Sequence, residues 1–335
     1  MASETAILDP EAAQSSSPLP LEPVRADRPR LRAEELVERW QGISQRAGAL
    51  LRDPAAPQFL AAVRRADDDI TALLAEESER SLLLMIQSAG AYTERYSVRH
   101  AVLVTSVCEL AARLLPEITE AMRRSLRHAA LTMNLGMTRL QDQLALQDGP
   151  LTPDQRDLVH GHAERGHELL GELGVTDELW LKAVLHHHDA PPGALLEQPP
   201  GMQLARLIQR ADLFAARMSP RKLRAALSAN VAAKGTYLDE RKQPDMAGAL
   251  VIKALGVYPV GSFVQLANGK VAVVLKRGPA ASKPLVAAVA DGNGSPYVQP
   301  SVRSTDTKDS AVVRGVPPKE VRVRVPIERL LKLAK

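Results

Sequence analysis

A single cysteine, Cys108, stands in 335 residues. No intramolecular disulfide can form, and a reducing compartment is the expectation. Cys108 lies inside an apolar helical pattern and is read as a packing residue. Aromatic side chains make up 3% of the chain, with three Phe, two Trp and five Tyr. A core must then be built chiefly from Leu, Ala and Val, a supply that favours helices. No apolar run approaches the roughly 18 residues of a membrane span. The opening MASETAILDPEAAQ lacks the basic start and apolar centre of a signal peptide. A cytoplasmic protein without a membrane span is expected. Charge of one sign is also lacking: 43 basic and 39 acidic residues leave +4, too small an excess for a nucleic-acid footprint. P-loop, Rossmann and Ser–His–Asp signatures are missing.

What is present reads as a soluble, mainly α chain, 45% hydrophobic and 24% charged. Residues 1–30 carry five prolines and the run Ser15, Ser16, Ser17, a composition that predicts a disordered leader. An N-terminal helical segment fills 31–90. Its first helix spans Ala33–Arg52, with Leu36, Trp40, Ile43 and Leu50 on one face and Asp53-Pro54 ending it. A second runs from about Pro57 to Glu77, with Arg64, Asp67 and Asp68 outward. Residues 91–250 read as helices throughout, at Val98–Leu115, Ile118–Leu131, Glu178–His187, Met202–Met218 and Pro220–Ala233. Thr152, Pro153 and Gln155 supply an N-cap, a first-turn proline and a capping box. Residues 257–335 form a small antiparallel β extension with a C-terminal helix. Phe263–Leu266 and Val271–Leu275 flank Asn268-Gly269, a strong hairpin signal. Leu285–Ala290 and Val321–Val325 add strands, Gly292–Thr307 is a polar loop, and Ile327–Leu333 closes the chain as a helix. Basic residues including Lys270, Lys276 and Arg277 are read as a charged outer sheet face.

The chemistry-bearing stretch is Leu181–Asp189, LKAVLHHHD, in which His186, His187 and His188 precede a carboxylate. Histidine is the commonest neutral metal ligand near pH 7. A run of three at the end of an amphipathic segment must aim at least one ring into a cleft. His100, His162 and Asp212 join it from other predicted helices, a spacing that suits a bundle projecting ligands into one site. His128, His160 and His167 stand apart, with His160 and His167 expected at the surface.

Taken in order, these segments resemble the HD-GYP branch of the HD-domain phosphohydrolases. Tyr96 to His100 is similar to YTxxH. Ala129 to Met137 (AALTMNLGM) stands where the family has AALLHDIGK. Leu151 to Asp154 and His162 to Gly166 resemble LTPEE and HPxxG. His187-His188-Asp189 resembles HHE. Ala211 to Ala216 and Ser219 to Arg221 resemble ADVFDA and SxR. The resemblance implies an HD-domain helical bundle and a bacterial signalling role, since active members hydrolyse cyclic di-GMP to linear pGpG or GMP. It implies His100 and Asp212 as ligands of one metal, His162, His187 and His188 as ligands of another, and Arg221 as a phosphate contact.

Three departures bear on catalysis. Met133 and Asn134 replace the family's HD pair, whose aspartate bridges the metals; two neighbouring cations repel unless an anion lies between them. Met137 replaces the lysine that helps hold phosphate. After Asp189 the chain reads APPGALLEQPPG, without Gly-Tyr-Pro. The leading expectation is a degenerate member with little or no catalysis, acting through ligand or protein binding, with cyclic di-GMP, signalling proteins and a second copy as candidate partners. The alternative is a phosphohydrolase that keeps one divalent metal (Zn, Fe or Mn) on a His-rich site; without it, the histidines remain as hydrogen-bonded cleft residues and no cofactor is expected.

Overall fold

The computed structural model describes residues 30–54 and 58–334. The expected leader, apart from Arg30, and the predicted helix start at Pro57 lie outside the described residues. Helix α1 (Ala33–Arg52) follows the predicted span, buries Leu36, Trp40, Ile43 and Leu50, and opens with Glu34 and Glu35, whose charges suit the positive end of the helix dipole.

Helix α2 (Phe59–Ala91) runs on past the expected end at Glu77, because Glu77 bends the helix without ending it (φ −138°, ψ 43°). The Glu77 carboxylate accepts the Leu31 N–H at 3.0 Å and pairs with Arg80 at 2.9 Å. A buried polar anchor therefore sits under the entry to α1. Asp67 is a second correction. It points inward, 5% exposed, where the Arg127 guanidinium clasps it. Local periodicity cannot show a partner 60 positions away.

The bundle turns about helix α3 (Tyr96–Ala112), buried at nearly every position. Helices α4 (Glu120–Thr132) and α5 (Thr138–Leu146) follow, with a 3-10 turn at Leu135–Met137 between them. Helix α6 (Pro153–His160) carries the predicted capping box. Then come α7 (His162–Glu172), α8 (Glu178–Leu185), α9 (Pro200–Met218), α10 (Ala229–Lys234) and α11 (Met246–Leu255). The expected helix over Pro220–Ala233 survives only as α10. Ahead of it the Arg221 N–H donates to the Arg224 carbonyl at 2.8 Å, closing a turn that a helix cannot share. Among the described residues no helix is long and apolar enough to cross a membrane.

The C-terminal sheet contains β1 (Phe263–Leu266), β2 (Val271–Lys276), β3 (Leu285–Ala290), β4 (Pro296–Ser304) and β5 (Val312–Val316), in the order β4-β3-β2-β1-β5. All pairs are antiparallel. Gly269 adopts φ 80° in the hairpin turn, where a glycine costs nothing. Two expectations fail. Gly292–Thr307 contains β4, whose mostly exposed side chains disguise a strand held by backbone pairing to β3. Val321–Val325 is not a strand, because β5 already occupies the open edge of β1. Helix α12 (Ile327–Leu333) buries Leu330 and Leu331 and packs on α1 and α2. Arg277 faces inward to Glu79 of α2 at 3.0 Å, fastening sheet to bundle. One continuous apolar core includes residues of α1, the bundle, the sheet and α12.

Candidate functional site

Helix α8 stops at Leu185, and the amides of Asp189 and Ala190 both turn back to the His186 carbonyl (3.2 and 2.9 Å). Pro191 and Pro192 forbid any continuation of the helix. The three histidines thus lie on a tight turn that aims them differently. His186 faces its neighbour Asp189 (3.1 Å), His187 is buried, and His188 is exposed. His162, which opens α7, meets this turn: its Nε2 lies 3.1 Å from His187 Nε2 and 3.3 Å from His188 Nε2. His162, His187 and His188 are the cluster whose donor atoms lie within 4.8 Å of one another.

The tautomers follow from the partners. His162 Nδ1 lies 2.5 Å from the Val159 carbonyl, and His187 Nδ1 lies 2.6 Å from the Val184 carbonyl. A carbonyl only accepts, so each Nδ1 carries the proton and donates it. In the neutral rings both Nε2 atoms then bear lone pairs, facing each other at 3.1 Å. Ring protonation is a poor remedy: burial, with the His188 charge adding, pushes His187 down to about 3. Burial also lowers His162, against the opposing pull of its Val159 bond. Two buried lone pairs converging, each ring pinned through its other nitrogen by a backbone carbonyl, is the arrangement of metal-ligating imidazoles. The triad fits one cation of the zinc or iron(II) kind. Bound there, such a cation would polarise a phosphoryl oxygen as a Lewis acid.

A second group adjoins the triad. His100 of α3 donates from Nε2 to Asp212 Oδ1 of α9 at 2.6 Å. Burial alone would raise the Asp212 carboxyl, but the His100 bond and the charges of His100, His188 and His187 hold it well below the usual range. Asp212 therefore shares an electrostatic field with the triad. One helical turn before His100, the Tyr96 ring stacks on it at 5.4 Å between centroids and 13° between planes. The Arg221 guanidinium lies 5.1 Å over the Tyr96 ring and donates to its hydroxyl at 3.3 Å. Arg221, Tyr96, His100 and Asp212 form one continuous stack.

These residues do not fit a second cation. Met133 is fully buried in the apolar core. The Asn134 side chain makes no hydrogen bond among the described residues and offers a neutral oxygen at best. Met137 is half-buried, and a thioether is a poor ligand for hard cations. The turn carrying these residues is nevertheless pressed against α7. A Cβ on Gly136 would lie 2.4 Å from the His162 carbonyl and 2.9 Å from the Gly166 amide. Only glycine permits this approach.

Two supporting residues escape sequence reasoning. Gln209 donates to the His188 carbonyl at 2.7 Å, and Arg206 donates to the Ala190 carbonyl at 2.9 Å while paired with Asp245. Both hold the histidine turn from α9. The available signal is Arg206, a charge within the apolar face of Leu204, Leu207 and Ile208. His160 is exposed as expected. His167 is half-buried instead, 3.3 Å from the Leu181 carbonyl.

No protein-family model matches this chain. Over 190 residues it is 28% identical to a curated cyclic di-GMP phosphodiesterase of Pseudomonas aeruginosa, a stretch covering 55% of this chain and 45% of that protein. The chain thus matches less than half of that relative's length. An HDG"Y"P protein of known structure from Bdellovibrio bacteriovorus superposes with a TM-score of 0.43 at 14% identity, covering 72% of this chain and 75% of that one. A mainly helical bundle with a small antiparallel sheet and a histidine cleft defines the class. Over the matched stretch the chain is similar to that cyclic di-GMP phosphodiesterase.

Proposed function

We propose that this chain is a degenerate HD-GYP-like signalling protein that binds one divalent cation and a phosphodiester ligand but has little or no phosphodiesterase activity. The reading rests on a site in which the triad His162, His187 and His188 is intact while position 134, where the resemblance requires a bridging carboxylate, holds an amide. One cation balances against the triad and the nearby Asp212 charge. A second would face the first with no anion between them.

In this reading Arg221, set by the Tyr96 ring and hydroxyl, contacts a ligand phosphate, and His100 keeps Asp212 ionised and oriented. Exposed His188 lies on the open side of the cleft, and His162 and His187 line its buried wall. Cyclic di-GMP is the ligand proposed, by analogy with the Pseudomonas relative. The proposed setting is the cytoplasm, with output through a protein partner or a second copy of the chain.

Metal analysis together with a hydrolysis assay tests this. About one equivalent of Zn, Fe or Mn is expected, with no turnover of cyclic di-GMP in added Mn(II) or Fe(II). Turnover near the ordinary enzyme scale, about 1–10 s⁻¹, abolished by His188→Ala, would sink the reading. The convergent lone pairs favour one alternative, a single-metal phosphohydrolase. It is recognised by one tightly held metal together with hydrolysis. A pure scaffold is recognised by the absence of heat when cyclic di-GMP is titrated.

A further inference from the structure

A cleft of about 440 Å³ opens where α2, α4 and the entry to α8 meet, built from residues the histidine site does not use. Its size is that of a small-molecule pocket. Arg64 of α2 and Arg124 of α4 line it. Both are exposed, and neither makes a hydrogen bond or ion pair among the described residues. Their neighbours on the same helices behave differently. Arg123 pairs with Glu120, and Arg127 binds Asp67, Glu109 and Glu120. Two guanidiniums are thus left uncommitted on one concavity.

The floor supplies a second, independent observation. His128 lines the cleft and is 6% exposed. Its ring leans on the Trp180 indole at 4.9 Å. Its Nε2 has no hydrogen-bond partner, since the nearest carboxylate oxygen, on Asp67, is 3.5 Å away. A buried ring nitrogen whose nearest polar neighbour stands 3.5 Å away, without a well-formed hydrogen bond, leaves bonding capacity that a ligand in the cleft would use. Leu60 and Val175 add an apolar wall. Two acidic groups face the cavity or its floor, and both are already engaged. Asp177 accepts from the Ser125 hydroxyl and caps α8 through the Leu179 and Trp180 amides. Asp67 is held by Arg127.

We infer that this cleft binds a compact polyanion, a phosphate-bearing or polycarboxylate small molecule, with Arg64 and Arg124 as the charge contacts and His128 as a ring hydrogen-bonding partner. Guanidinium forks match phosphate and carboxylate oxygens in geometry as well as charge. Both arginines are at the surface, so neither contributes to the core, and their removal tests binding rather than folding. The site is distinct from the histidine triad, which lies beyond the far end of α8.

The experiment is a titration of the full chain with inorganic pyrophosphate and, separately, citrate. It is followed by calorimetry and by tryptophan fluorescence, since Trp180 lies on the cavity wall and Trp40 is the chain's other indole. Saturable binding of at least one probe is expected, weakened about tenfold by Arg64→Ala and by Arg124→Ala, as loss of one charged hydrogen bond implies. Preference between the probes identifies phosphate or carboxylate as the recognised group. His188→Ala is expected to leave the affinity unchanged. Two results would overturn the inference: no saturable binding of either probe, or binding that the two arginine variants leave intact. Binding lost only in His188→Ala assigns the anion to the histidine triad and overturns it equally.

Discussion

On the proposed reading, Asn134 limits the cleft to one cation. Replacing its amide by a carboxylate adds the one anion that the cluster lacks, on a side chain of the same size. Asn134→Asp is expected to raise metal content from about one equivalent towards two, read by elemental analysis after loading with Mn(II). Unchanged stoichiometry would mean that His100 and Asp212 do not serve a second ion. Support from behind the ligands is also measurable. Gln209 holds the backbone of His188 without reaching the ligand cluster itself. Gln209→Ala is expected to weaken metal binding by about tenfold, the lower range for outer contacts of a metal site. Competition with a chelator of known affinity checks this, with circular dichroism confirming an intact fold. At this scale the sequence was informative about ring identity and silent about ring direction. The run at His186–His188 and the distant His162 announce a cluster. The pins that aim two of the rings are the carbonyls of Val159 and Val184, backbone atoms that no side-chain pattern reveals.

Among the elements, α2 and α4 are joined through a buried arginine. Arg127 is 3% exposed and faces Asp67, Glu109 and Glu120. Asp67 stays ionised there, its burial outweighed by the nearby His128 ring and the hydrogen bonds and charge of Arg127. Arg127→Ala would strand the buried Asp67 carboxylate and leave the buried Glu109 with Arg113 as its one remaining cation among the described residues. Breaking such a network costs about 3–5 kcal/mol, to be read as a lower urea midpoint. A loss below about 1 kcal/mol would show that water reaches the stranded carboxylate. The sequence placed Asp67 outside because its helix repeat counts only neighbours. Where burial follows local periodicity, legibility was high: α1, β1, β3 and α12 match their expected spans. Where a distant partner decides, it failed. β4 is a strand by virtue of β3, and Val321–Val325, for all its alternation, finds no edge to join.

For the whole molecule, acid is the informative perturbant. The ordinary histidine pKa is about 6.5, and His187 in the fold takes a proton only near 3. Between those values the unfolded chain binds protons that the folded chain refuses, so stability falls as pH drops through this window and is complete above it. Asp67 and Asp212, both held low, add a further loss once pH passes below the ordinary carboxylate range. Melting of metal-free protein is therefore expected to be level above about pH 7 and to fall steadily below about 6.5. A melting temperature that climbs on acidification contradicts the buried, neutral assignment of His187. The final helix bears on how such unfolding starts. Leu330 and Leu331 of α12 lie against the opening helices, and Lys332 reaches Glu34 at 2.5 Å. First and last helices clasp each other, so fraying at either boundary of the fold must first prise open the other.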